Sequence, residues 1–302
     1  HATDGGGSIR IPASCCHLFG LKPSRGRVSL GPKGEGWAGL SVGHVVTRSL
    51  RDSAALLDIL GAPAPGDPYG VPGPPRPFRD EVGADPSRLR IGLLVDAPDP
   101  AVEVDPVCRA AAQDAAARLI SLGHEVEPLT WPADLIRPGE IVSVVSGVHT
   151  ARTVDQRLAE LGRGQRDDDL DGATAIVVGH GRAIALDRYL DAVDAMYATG
   201  RHIAAFMSGY DALLTPSMAV PPPPIGQLDP NRDPKSALQG MRGMATFTSL
   251  CNVTGQPAAS VPFGRTADGL PLAVQLVAAY GDEATLFRLA GHLLDGDLLP
   301  TA

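Results

Sequence analysis

Apolar residues recur along this chain at two different spacings, and an element boundary is predicted wherever one spacing gives way to the other. Leu50, Ala54 and Leu57 repeat at four and three residues, with Gly61 next in line, so 49–60 is predicted helical with Ser49 as its N-cap. The proline- and glycine-dense stretch 62–77 reads as a surface loop inside the fold rather than a domain boundary, because an apolar strand follows it. That strand is Leu89-Arg-Ile-Gly-Leu-Leu-Val95. Asp105 and Pro106 start a helix that runs to 122, Gly123 ends it in the C′ place, and 124–128 is the next strand. This strand–helix–strand rhythm is that of an α/β fold.

Further along, 133–163 and 182–208 are predicted helical, separated by an acidic turn at Asp167-Asp168-Asp169. Residues 211–215 return to strand, and the prolines of 221–224 make a stiff loop, since proline fixes φ and lacks a donor. A helix is expected over 241–251, strands over 258–262 and 271–277, and an amphipathic helix over 283–294. The first 31 residues are expected to be irregular and glycine-punctuated, with short strands. No internal repeat interrupts this order.

Composition narrows the class. The 302 residues are 44% hydrophobic but only 4% aromatic, so the core must be built from Ala, Val, Leu and Ile. A net charge of −8 argues against nonspecific nucleic-acid binding, which needs a cationic surface. No apolar run approaches the length of about 20 residues that a spanning helix needs, so no membrane is expected. Cys15, Cys16, Cys108 and Cys251 form no Cys-x-x-Cys pair and no metal-ligand grouping, and read as reduced, mostly buried thiols of a cytoplasmic protein. No cofactor or metal is expected.

Candidate chemistry concentrates at the start. In Thr3-Asp4-Gly5-Gly6-Gly7-Ser8-Ile9-Arg10-Ile11-Pro12 a hydroxyl follows three glycines, whose N–H groups can converge into a nest for negative charge. Acyl transfer needs that combination: Ser8 as nucleophile and Gly5, Gly6 and Gly7 as oxyanion-hole donors. The rival constellations are weaker. The nucleophile elbow Gly-x-Ser-x-Gly lacks its last glycine in Gly6-Gly7-Ser8-Ile9-Arg10, and no phosphate-binding Gly-x-x-x-x-Gly-Lys-Ser/Thr occurs. His17 is read as a packed or solvated histidine, Arg25 and Arg27 as ties between loops, and Asp167-Asp168-Asp169 as a solvated turn.

The opening segment, together with Gly20-Leu-Lys-Pro-Ser-Arg-Gly-Arg-Val-Ser29, resembles the amidase signature family, which carries Asp-x-Gly-Gly-Ser-x-Arg-x-Pro followed by a Gly-Leu-Lys-Pro-Thr-x-Gly-Arg run. The resemblance returns in Tyr210-Asp-Ala-Leu-Leu-Thr-Pro-Ser217, in Asn252-Val-Thr-Gly-Gln-Pro-Ala-Ala-Ser-Val-Pro262 and in Asp268-Gly-Leu-Pro-Leu-Ala-Val-Gln275. Within the family, Pro12-Ala-Ser-Cys15 and Ala278-Ala-Tyr-Gly281 look most like the 6-aminohexanoate cyclic dimer hydrolases. The chain departs from the pattern at Ala273, where the family usually has glycine; a local change rather than lost function is expected.

The resemblance implies a mixed twisted sheet flanked by helices, an α/β amidase signature fold in which 1–302 forms the C-terminal portion of one domain. It also implies a Ser–cis-Ser–Lys triad in which Ser8 matches the attacking serine, Gly5, Gly6, Gly7 and Ser8 offer oxyanion donors, and Asp4 and Arg10 are supporting. In the family the bridging serine and the lysine precede the nucleophile, whereas Lys22, Lys33 and Lys235 all follow Ser8 here. The expectation is a portion of a longer enzyme, inactive and poorly soluble alone because its sheet would be incomplete. The partner implied is a small-molecule amide, with a homodimer compatible; the alternatives are an amidotransferase-type subunit releasing ammonia from glutamine and a non-catalytic interaction fragment. Cys251, Asn252 and Gln275 are expected to pack near the active-site wall, and 133–210 and 216–245 to shape the pocket.

Overall fold

The structure is a computed structural model that describes residues 1–32 and 34–294. The first strand, β1 (Ala2–Asp4), pairs antiparallel with β3 (Val42–His44) in a small two-stranded sheet beside the main one. Between them, α1 (Arg10–Cys15) and β2 (Phe19–Lys22) bring the chain down onto the main sheet. The sequence suggested no helix in this segment; α1 is only six residues long, too short for an apolar repeat to declare itself. After β4 (Val46–Thr47) comes α2 (Leu50–Leu60), begun where expected, with the Ser49 side chain accepting from the Asp52 N–H at 3.0 Å. Leu50 and Leu57 are wholly buried, each worth roughly 1.5–3 kcal/mol relative to exposure.

The α/β rhythm then appears as read: β5 (Arg90–Leu93), α3 (Pro106–Ser121) and β6 (Glu125–Pro128), with β5 and β6 parallel. Asp105 caps α3 by accepting from the Val107 N–H, Pro106 occupies the first turn, and Gly123 takes a φ of 95° past its end. A helical block follows, α4 (Pro138–Glu160), α5 (Gly172–Ala183) and α6 (Leu186–Phe206), before β7 (Ala212–Pro216) and α7 (Pro234–Thr254). The last elements are β8 (Ala258–Arg265), β9 (Pro271–Ala278) and α8 (Glu283–Leu294).

Seven strands join in the order β4–β2–β8–β9–β7–β5–β6. The β6–β5–β7 end is parallel and the rest antiparallel, which makes the sheet mixed. Side chains alternate between its two faces. Ala212, Leu214, Ala259, Val261, Val274, Leu276 and Ala278 pack with α2, α3 and α8, whereas Leu213, Ala258 and Val277 pack with α6 and α7. Both faces are therefore covered, and α4 stacks outside α6 and α7 through Val144, Val145, Met196 and Val253. Among the described residues the expected incomplete sheet does not present a long bare edge: β4 has two residues, and β6 has four, including Glu125 and Glu127.

Candidate active site

Ser8 sits where β1 hands over to α1, at the tip of a turn that a single buried carboxylate organises. Asp4, fully buried, accepts from the N–H of Gly7 at 2.7 Å and of Ile9 at 3.1 Å, folding the chain around its own side chain. It also accepts from Arg10 Nε at 3.0 Å, Arg10 Nη2 at 2.8 Å and Asn252 Nδ2 at 2.9 Å. Burial alone would push its pKa up. The Arg10 charge and the hydrogen bonds from Arg10 and Asn252 outweigh that and hold it at about 2.

Arg10, also fully buried, carries the connection across the molecule. Its Nη1 donates to the Thr248 carbonyl and to Gln275 Oε1, both at 2.8 Å, and its Nη2 donates to Asn252 Oδ1 at 2.7 Å. Gln275 continues the chain to Thr215 Oγ1 at 3.2 Å. Asp4 and Arg10 of the first motif, Thr215 of the middle one, and Asn252 and Gln275 of the late ones thus form one buried network. The sequence placed Cys251, Asn252 and Gln275 near the site wall but assigned them no contacts; the contacts run through Arg10. Cys251 is buried one residue away, and burial raises its thiol pKa.

The glycines differ from one another. Gly7 has a φ of 137° and leaves no room for a side chain: a Cβ there would lie 2.4 Å from Thr248 Oγ1 and 2.6 Å from Ile11 Cδ1. A Cβ on Gly5 would meet the ring of Trp37 at 2.7 Å. Trp37 and Ala38 hold positive φ values of 51° and 53°, a conformation costly for non-glycine residues. Gly7 was expected to donate to an oxyanion alongside Gly5 and Gly6, but its N–H is committed to Asp4. Among the described residues, the N–H groups of Gly5, Gly6 and Ser8 have no internal acceptor.

Ser8 is exposed, and its hydroxyl makes no hydrogen bond among the described residues. Lys22 is fully buried and donates from Nζ to the Pro23 carbonyl at 2.7 Å. Burial, with the repulsion of Arg10, lowers its pKa to about 7. Lys235 is exposed in the first turn of α7. His17 is half-buried with its pKa lowered by burial and by Arg265, and it makes no bond to Ser8. Arg25 and Arg27 tie loops together. Arg25 donates to the carbonyls of Gly39, Asn252 and Val253, and Arg27 bridges Glu283 and the carbonyls of Val71, Pro72 and Gly281. In the acidic turn, Asp169 is taken by Arg163 at 2.7 Å and by the Arg166 N–H.

Two contributors escaped the sequence reading: Thr248, whose hydroxyl donates to the Gly6 carbonyl at 2.7 Å, and Trp37 beneath Gly5. The only signal for Thr248 was its place four residues before Asn252 on one helix face. Trp37 offered none.

A family model described as Amidase matches residues 1–287. The 6-aminohexanoate-cyclic-dimer hydrolase of Paenarthrobacter ureafaciens is 35% identical over 305 residues, covering 97% of this chain and 62% of that protein. A putative amidase, AmiB2, of Mycobacterium tuberculosis is 36% identical over 300 residues, covering 96% and 60%. A solved structure of 6-aminohexanoate cyclic dimer hydrolase superposes with a TM-score of 0.89 at 35% identity, over 97% of this chain and 63% of the other. The chain therefore spans somewhat under two thirds of the length of the relatives it matches.

Proposed function

The chain belongs to the amidase family, and from that premise we propose that it carries the nucleophile half of an amide-hydrolysing site, with Ser8 as the residue acylated. The observation that carries this reading is the turn itself. Exposed Ser8 is presented on a backbone locked by Asp4 and Arg10, beside amide N–H groups that have no internal acceptor among the described residues. Preorganised donors of this kind, aimed at charge that develops only in the transition state, are commonly the largest single contribution to acyl-transfer catalysis.

The steps follow from the bonds involved. Ser8 Oγ attacks the carbonyl carbon of a carboxamide while a base takes its proton. The tetrahedral oxygen is held by the amides of Gly5, Gly6 and Ser8, and Gly7 keeps its N–H on Asp4 so that the turn does not reshape. The C–N bond breaks and the departing nitrogen receives the proton, leaving an ester on Ser8. Water then adds to the acyl carbon, the ester C–O bond breaks, and the hydroxyl of Ser8 is restored with release of the carboxylate. Asp4 and Arg10 support the site without entering the chemistry.

Among the described residues no base reaches Ser8. None of Lys22, Lys235 and His17 bonds to it, Lys33 lies outside the described residues, and a serine hydroxyl without an acceptor for its proton is a poor nucleophile near neutral pH. We take the lysine and bridging serine implied by the family resemblance to lie outside these 302 residues, which themselves should turn over little or no substrate. The substrate is read as a small linear or cyclic carboxamide, supported by the cyclic-amide hydrolase among the relatives. The test is turnover of an aryl amide and of a cyclic oligoamide by the full-length protein and its Ser8→Ala variant, together with labelling by a fluorophosphonate. Loss of both turnover and label at Ser8 is expected; undiminished cleavage by Ser8→Ala would overturn the reading.

A further inference from the structure

We propose that Thr248 is a positioning residue for the oxyanion-binding turn, acting through the peptide that joins Gly6 to Gly7. The proposal rests on the reading of Ser8 as an acylated nucleophile and adds a residue to its machinery.

A threonine in the middle of a helix ordinarily returns its hydroxyl proton to a carbonyl three or four residues back, because that acceptor is always within reach. Thr248 has such an acceptor, the Ala245 carbonyl, at 3.2 Å, yet its shorter contact is to the carbonyl of Gly6, at 2.7 Å. A hydroxyl has one proton to give, and the shorter distance marks where it goes. The neighbouring Ser249, by contrast, donates to Ala245 at 2.7 Å in the usual way. Thr248 is wholly buried, and it is also the side chain that occupies the space a Cβ on Gly7 would need.

The consequence is geometric. A peptide unit is planar, and its carbonyl and N–H point in opposite directions. The carbonyl of the 6–7 peptide is held by the Thr248 hydroxyl, and its N–H is held by Asp4 Oδ1 at 2.7 Å. One planar unit gripped at both ends cannot rotate. The next unit is held through the Gly7 carbonyl, which accepts from the Ile11 N–H at 2.7 Å. The free N–H groups of Gly6 and Ser8, on either side of the clamped unit, inherit their directions from it. The α7 backbone reinforces the grip, since the Thr248 carbonyl accepts from Arg10 at 2.8 Å. In this role the Thr248 hydroxyl is spent on a backbone carbonyl, not on the reacting atoms. It fixes donors that do meet the transition state.

The test compares Thr248→Val, which keeps the shape and removes the hydroxyl, with Thr248→Ser, which keeps the hydroxyl, both in the full-length protein. Losing an oxyanion donor outright costs roughly 100- to 1000-fold in kcat. Loosening one should cost less: about 10- to 100-fold in kcat for Thr248→Val, with KM within about twofold, and recovery to within about threefold in Thr248→Ser. Amide hydrogen exchange over residues 1–15 provides a readout that needs no turnover. Exchange at Gly7 should rise in Thr248→Val and return to the wild-type rate in Thr248→Ser. Unchanged exchange in Thr248→Val, or an unchanged kcat, overturns the proposal. If the wild-type protein cleaves no amide while exchange responds as described, the clamp stands and the reading of Ser8 is what fails.

Discussion

At the scale of single residues the Ser8 turn is governed by one carboxylate and one missing side chain. Asp4 accepts two backbone N–H groups within five residues of itself, so the turn closes on its own side chain before any distant contact forms. Gly7 completes it because the space and the φ of 137° exclude any other residue. Two neighbouring alanine substitutions separate these causes. Gly7→Ala should destabilise the protein by about 2 kcal/mol or more, as strain plus collision with Thr248 and Ile11. Gly6→Ala, whose Cβ would meet nothing nearer than Val142 Cγ1 at 3.8 Å, should unfold at nearly the wild-type urea concentration. Equal shifts in the two midpoints would contradict the steric account. The Asp-Gly-Gly-Gly-Ser-Ile-Arg run was legible as candidate chemistry from its residue types, but the commitment of the Gly7 N–H to Asp4 was not. Which amides face inward is decided by peptide orientations that composition does not encode.

At the scale of elements, the well-signalled helices were those with a capping residue and a clean apolar repeat. Ser49 before α2 and Asp105-Pro106 before α3 behave as read. The helix α5 was missed, and α7 was expected to begin at 241 rather than at Pro234. In both, glycines dilute the repeat. They obscured real signals: Asp171 caps α5 by accepting from the Thr174 N–H, and Asp233 caps α7 through Ser236. One of those glycines has a packing role. A Cβ on Gly181 of α5 would fall 2.0 Å from the Gly147 carbonyl of α4, whereas Gly179 faces open space. Gly181→Ala should therefore pry α4 and α5 apart and lower the thermal midpoint by several degrees. Gly179→Ala should leave it unchanged or raise it slightly, since alanine is favoured over glycine by roughly 1 kcal/mol in a helix. Differential scanning calorimetry of the two variants decides the matter; a stabilising Gly181→Ala would refute the close-packing argument.

At the scale of the whole molecule, stability depends on two buried groups held in one protonation state. His44, whose ring bonds to Ser53 Oγ at 3.2 Å, has its pKa lowered by burial from 6.5 to about 4. Between those values the unfolded chain binds a proton that the folded one refuses, so stability falls as pH drops from 6.5 to about 4. Asp4 acts in the next window. Its carboxylate contributes stability that is fully present above 3.8 and is lost as pH falls to about 2. Urea unfolding followed from pH 7 to pH 2 should show both declines in turn. The first should flatten in His44→Gln and the second in Asp4→Asn. The latter variant is also weaker throughout, because it leaves Arg10 buried without its counter-charge, a loss of about 3–5 kcal/mol. A pH profile that stays level in the wild type between 6.5 and 4 would remove His44 from the account.

What the sequence determined alone is what short-range physics decides: the capped, cleanly repeating helices α2 and α3, the strand–helix–strand order of β5, α3 and β6, and the choice of a serine among glycines as the candidate nucleophile. Each depends on residues within a turn or two of one another. What only the tertiary structure decided is the company those residues keep. Asn252 and Gln275 lie more than 240 positions from Arg10 yet bond its guanidinium. Thr248 reaches the 6–7 peptide solely because α7 passes behind it. A buried guanidinium must satisfy its donors wherever acceptors are brought to it, and those acceptors are supplied by the packing of a sheet and a helix that no local pattern can position.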